Sequence, residues 1–358
     1  MKTSLRLVLL ACASSIGLAF AAPALAAYTP SLTIEQSSYK VGAATTADVF
    51  IAAPQNDDPT AKLTIFSPAG YGAVLTQAPG TKIGAVVAVV KAKALGGANL
   101  PLAGDVLVAN PADAAIQAAA MRCTGITTNQ ANWVLNTQLQ GQTVAIPVFV
   151  NKVGPLVTMQ VCLPSPDIPP ASGGATFGAQ LVLADFTVRG VFTNAAVKGG
   201  YEWAGIFTPY TPGTGTPNAT GTNEWRTYVG LPSSLTLAKA KAKKGLKLVG
   251  KLTVPGLNPA GIRLRLYSSR KPNPAPTATT AGVRGAKVTR TGKLPKSGKY
   301  TVLRPSVKFT TFFQTRFENY VTKCEGPSPS GLPVPCRGED LAALTSNQVR
   351  ATKPKKRR

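Results

Sequence analysis

Short runs in which apolar and polar residues alternate, divided by clusters of Gly, Pro, Asn and Asp, recur along almost the whole chain. In one, Val182, Ala184, Phe186 and Val188 alternate with Leu183, Asp185, Thr187 and Arg189. In another, Val307, Phe309, Thr311, Phe313, Thr315 and Phe317 oppose Lys308, Thr310, Phe312, Gln314 and Arg316. Successive side chains of a strand point to opposite faces, so a period of two suits a half-buried strand and not a helix. Many such strands with turn residues between them predict an all-β chain of face-to-face sheets, that is, β-sandwiches. One segment departs from the pattern. Asn110 can cap, Pro111 fits a first helical position, and Ala112 to Arg122 are strong helix formers, which predicts one short helix near 111–122.

The charge is unevenly placed. Of the formal +25, residues 1–26 carry two bases and no acid, residues 27–232 ten of each, and residues 233–358 carry 27 bases and four acids. Lys2 and Arg6 precede an apolar run from Leu7 to Ala22, and Ala24-Leu25-Ala26 supplies small residues where a signal peptidase cuts. Residues 1–26 therefore read as a signal peptide, and the mature chain as extracellular or cell-surface associated. The run is shorter than the ~20 residues of a spanning helix, so no membrane segment is expected after cleavage. Roughly 330 residues remain, enough for two domains. The change in charge places them at 27–232 and 233–336, with 337–358 as a basic tail.

Cys12 leaves with the signal, and Cys123, Cys162, Cys324 and Cys336 remain. An exported chain with an even number of cysteines is expected to form disulfides. Pairing Cys123 with Cys162 and Cys324 with Cys336 keeps each bridge inside one domain.

The basic part shows the clearest alternation. Leu246, Leu248, Leu252 and Val254 share one face and Lys247, Lys251 and Thr253 the other; Ile262, Leu264 and Leu266 alternate with Arg263, Arg265 and Tyr267. About seven strands in ~90 residues is the count of an immunoglobulin-like sandwich. Lys243-Lys244-Gly245, Gly250-Lys251-Leu252, Ala260-Gly261 and Ser297-Gly298-Lys299-Tyr300 resemble the Ig-like modules of bacterial secreted and cell-surface proteins. The resemblance covers residues 235 to about 323 and implies a spacer, stalk or adhesive unit with no shared catalytic residues. At its start lies a conflict: Leu235 and Leu237 share a parity with Lys239, Lys241 and Lys243. Inward leucines would bury the lysines of a regular strand, so a break near Ala238 is expected.

The chain contains no histidine, which excludes Ser-His-Asp catalysis and histidine-bearing zinc sites. No cofactor or metal is expected. Glu202 and Glu224 are the candidate acid and base of a histidine-free glycosidase. Tyr201, Trp203, Tyr210, Trp225 and Tyr228 form a candidate glycan-stacking surface against a reading as core. Lys239, Lys241, Lys243, Lys247, Lys251, Arg263 and Arg265 are candidate contacts to anionic envelope polymer or acidic glycan; specific nucleic-acid recognition is not expected. The reading reached is a secreted, non-enzymatic structural or interaction protein of the bacterial surface or medium. A carbohydrate- or wall-binding protein using the loops near 201–228 is the alternative, and a carboxylate glycosidase the third.

Overall fold

The structure, a computed structural model, describes residues 28–93, 96–139, 141–172, 174–175, 178–272, 287–318 and 320–352. The expected signal peptide and the last six residues lie outside them. Among the described residues, no helix is long and apolar enough to cross a membrane.

The first module is built of β1 (Ser31–Gln36), β2 (Ala44–Ala52), β3 (Thr60–Phe66), β4 (Gly72–Ala73), β5 (Lys82–Lys91), β6 (Asn99–Val108), β7 (Ala131–Leu139), β8 (Gln142–Val153), β9 (Leu156–Cys162), β10 (Gln180–Thr193), β11 (Gly199–Pro209) and β12 (Asn223–Leu231). Hydrogen bonds run through them in the order β1-β2-β10-β5-β6-β7-β8-β9-β3-β11-β12, with β4 beside β10. The path doubles back, so that β1 touches β11 and β12. Its two halves enclose one apolar core, with Leu32, Trp133, Met159, Phe186 and Trp203 among the residues inside.

The helix α1 (Ala114–Thr124) starts later than expected, because Asp113 and not Asn110 is its cap, accepting from the Ala115 N–H. Asn110 closes a local turn by accepting from the Ala112 N–H. The Cys123–Cys162 disulfide ties the helix end to β9, with Cα atoms 5.6 Å apart.

The second module begins two residues after β12. Its strands are β13 (Ser234–Ala240), β14 (Leu246–Thr253), β15 (Arg265–Ser269), β16 (Lys287–Arg290), β17 (Lys299–Arg304) and β18 (Thr311–Phe317), followed by β19 (Val321–Thr322), β20 (Cys336–Leu341), β21 (Leu344–Thr345) and β22 (Val349–Ala351). A sheet β13-β14-β17 faces a sheet β16-β15-β18, with β21 and β22 also paired to β18. Leu237, Leu248, Leu266, Phe313 and Phe317 fill the space between. Two facing sheets of this size give the Ig-like sandwich expected of the basic part. Tyr300 crosses between them, its hydroxyl on the Thr236 carbonyl and within 2.6 Å of Thr315 Oγ1. The ring lies over Gly250, where an added Cβ would stand 2.0 Å from the Thr236 oxygen, so only glycine fits.

Two expectations need correction. β13 is unbroken: its register with β14 runs without a shift from Ser234↔Thr253 to Ala240↔Lys247. Leu235 and Leu237 are buried, yet Lys239 on the same face is exposed. Lys239 stands opposite the fully buried Leu248 of β14 but on the edge strand of the sheet, so inward parity there does not mean burial. Nor are residues 337–351 a tail. β20 pairs in parallel with β12, and β19 pairs with β20. Leu341, Leu344 and Ala351 are buried in the second core. The excursion from Phe317 to Leu344 thus adds two strands to the first module's sheet before the chain returns to its own sandwich.

Candidate functional site

Three groups of residues could carry function: the aromatic pair of strands β11 and β12, the acidic and basic groups between the modules, and the lysine-bearing sheet β13-β14-β17.

The aromatics do not form a strip. Trp203 is fully buried, edge-on to Tyr71 at 5.6 Å and Phe192 at 5.2 Å. Tyr210 is buried and donates to the Leu163 carbonyl. Tyr201 donates to the Val197 carbonyl and Tyr228 to that of Pro255. The Trp225 ring packs on Gly338 of β20, where a Cβ would stand 2.4 Å from it. These rings were expected in loops near 201–228, but Tyr201 and Trp203 lie on β11, Trp225 and Tyr228 on β12 and Tyr210 directly after β11; the strand that covers Trp225 arrives from a hundred residues later.

Glu202 and Glu224 do come together, on Arg226. The Arg226 Nε donates to Glu224 at 2.7 Å, and its Nη1 lies 3.6 Å from Glu202. Glu224 is 0% and Arg226 3% exposed. A carboxylate shut away and ion-paired in this manner cannot flank a glycosidic bond, so the acid–base reading of this pair fails. Arg226 also donates to the Glu325 carbonyl in the loop closed by Cys324–Cys336.

Between the modules lies a cleft of about 670 Å³ whose lining includes Glu35, Asp48, Tyr39, Arg189 and Ser234. Its carboxyls were not singled out from the sequence, although Asp48 and Asp185 are visible there as charges inside predicted strands. Glu35 and Asp48 are direct partners across β1 and β2. Glu35 is ion-paired with Arg316, which the alternation placed on an open face and which is 2% exposed. Arg316 also pairs with Glu318, which binds Arg265 at 2.6 Å. The first module covers what would otherwise be the solvent face of β18. Asp48 and Asp185 are each 8% exposed. Burial first, then its hydrogen bond to Asp185 and that group's charge, push the Asp48 carboxyl far above the usual range; Glu35 adds to this and Arg316 opposes it. The cleft therefore presents one ion-paired and one protonated carboxyl, not two free carboxylates.

Glu339 is pushed up to about 7, by burial and then by Glu202. Both Asp48 and Glu339 hold a proton more tightly folded than unfolded. Their stabilisation is complete below the ordinary carboxylate range and is lost as pH rises through the folded values. Asp48→Asn is accordingly expected to raise the melting temperature at about pH 8 while changing it little at about pH 4. A variant that melts lower than the parent at the alkaline pH contradicts this placement of the proton.

The third group is the lysine-bearing sheet. On its outer face Lys251 of β14 stands directly opposite Lys299 of β17, with Thr236 on the other side. Lys247 lies four residues before Lys251 on the same face. Lys239, Lys241, Lys243 and Lys244 continue the charge around the β13–β14 turn, all exposed. Among the described residues, none of these lysines is in an ion pair. The undescribed residues contain no Asp or Glu to supply one. The four acids after residue 233 are Glu318, Glu325, Glu339 and Asp340, all outside these three strands. Of the two expected arginines, Arg263 is exposed but precedes β15 in the opposite sheet, and Arg265 is neutralised by Glu318.

Among the described residues no group of acids or cysteines could hold a metal ion. Asp57, in the acidic turn before β3, accepts from the N–H and hydroxyl of Thr29.

No family model and no curated protein matches the sequence. Among solved structures, domains D2 and D3 of the major pilin SpaD from Corynebacterium diphtheriae align over 80% of this chain and 81% of that one, at 12% identity and a TM-score of 0.25. Full-length SpaD aligns over 80% and 56%, at 15% identity and a TM-score of 0.20. Red sea bream transglutaminase aligns over 91% and 31%, at 10% identity and a TM-score of 0.19. Superpositions this loose carry no argument about this chain, whose all-β architecture rests on its own strand pairing.

Proposed function

We propose that the protein is an exported, non-enzymatic structural or interaction component of a bacterial surface or its medium, whose basic sandwich holds it to anionic envelope polymer. The observation that supports this most is the Lys251↔Lys299 pair on a sheet without a carboxylate. Like charges directly opposite across strands destabilise a sheet, and lysines used only for solubility are ordinarily interspersed with acids. A face left unneutralised within the chain gains from a polyanion laid along it, and gains most where that polymer carries closely spaced phosphates or carboxylates.

The test is retention on immobilised polyphosphate and release of the protein from washed producing cells as salt is raised. Binding is expected to weaken steeply between ~50 and ~200 mM salt, because each neutralised phosphate releases a counterion. Changing Lys247, Lys251 and Lys299 together to Glu is expected to lower the affinity at low salt by about tenfold or more. Retention indifferent to salt, or undiminished in the triple variant, removes the electrostatic reading.

A further inference from the structure

In the first module, β9, β3 and β11 place Cys162, Lys62 and Thr208 side by side in register. The disulfide draws the end of α1 over this rung, and the loop after β11 closes the other side. Between them is a pocket of about 540 Å³, within the size range of small-molecule sites. Its walls include Phe149, Leu163, Tyr210 and Pro217, and its charged lining groups are Lys62 and Arg122. No acid lines it.

Lys62 is half-buried, and its amine is pulled below the ordinary lysine range by desolvation alone, with no carboxylate contributing. Its Nζ donates to the Cys123 carbonyl at 3.1 Å, which leaves further N–H bonds unspent on an ammonium with three. The Arg122 side chain makes no hydrogen bond or ion pair among the described residues. The helix end repels an incoming anion less than bare carbonyls would, because three of the carbonyls near it are occupied. Thr124 Oγ1 takes that of Ala120, the Gly125 N–H that of Met121, and Lys62 that of Cys123. Two cations without a counter-charge, set against aromatic and proline walls, match a ligand with one negative head and an apolar body.

We infer that this pocket binds a small organic carboxylate, its carboxylate between Lys62 and Arg122 and its apolar part against Phe149, Tyr210 and Pro217. This site is separate from the lysine sheet and does not depend on the reading given to that sheet. The probe pair is phenylacetate and its uncharged isostere phenylacetamide, titrated into the isotopically labelled protein while amide shifts are followed. Phenylacetate is expected to move the Lys62, Cys123 and Tyr210 amides to saturation, and phenylacetamide to bind at least about tenfold more weakly, as loss of a charged hydrogen bond implies. Arg122 is exposed on the helix, so Arg122→Gln should fold normally and lose about tenfold in phenylacetate affinity while leaving the amide unchanged. Lys62→Gln tests the second cation. Equal binding of acid and amide overturns the inference. So does an unaffected Arg122→Gln, tighter binding of inorganic phosphate, or the absence of any shift at millimolar phenylacetate.

Discussion

Arg226→Ala is expected to cost about 3 to 5 kcal/mol of unfolding free energy, the range for breaking a buried ion pair and leaving its partner charged. Glu224 has no exposure and Arg226 almost none, so water cannot take over the lost guanidinium. The effect reaches further than one pair, because the same side chain holds the Glu325 carbonyl at 2.9 Å and stands beside Glu339 in the parallel β12–β20 register. Hydrogen exchange of the β20 amides should therefore accelerate in the variant by more than that of β5 or β6. Urea unfolding measures the free energy, and replacing Arg226 by Met together with Glu224 by Gln should recover most of it, since a neutral pair of similar volume carries no stranded charge. A loss below about 1 kcal/mol in Arg226→Ala would contradict the buried ion pair described.

Trp203→Ala is expected to cost a similar amount, about 3 to 5 kcal/mol, through lost burial and the cavity left behind. The indole is fully enclosed, with Tyr71 and Phe192 edge-on to it, and the neighbouring strands cannot close over so large a gap. Trp203→Phe should lose less, because most of the ring volume is kept. The pair of variants also separates core from binding surface. If Trp203→Phe folds with near-parental stability yet fails to bind some glycan, the indole contributes to recognition in a way its burial does not allow.

Much of the architecture was legible beforehand. Many of the strands came from alternation, and the two disulfides from counting cysteines and keeping each bridge inside one domain; both bridges are present. The basic Ig-like sandwich followed from Leu246, Leu248 and Leu252 sharing a face, since a leucine every second residue has one way to leave water in a strand. The candidate site was legible only in part. Lys247 and Lys251 stood out as a solvent face, but the pairing of Lys251 with Lys299 depends on which strand lies beside β14. That neighbour is β17, nearly fifty residues on.

By itself, then, the amino-acid sequence determined the local terms: which residues share a face, where the chain turns, and how the charge divides. The tertiary structure decided what covers each face. Arg316 and Lys239 show the two outcomes. Arg316 occupies the polar parity of its strand and is buried, because another module packs there and supplies Glu35. Lys239 occupies the apolar parity and is exposed, because it lies on the edge strand of its sheet, while Leu248 opposite it on the central strand is buried. Period-two alternation is a property of one strand's backbone, whereas burial depends on a second surface brought from elsewhere in the chain. The same holds for Trp225 and Glu224, whose surroundings are completed by β20. No pattern within β11 or β12 encodes the arrival of that strand.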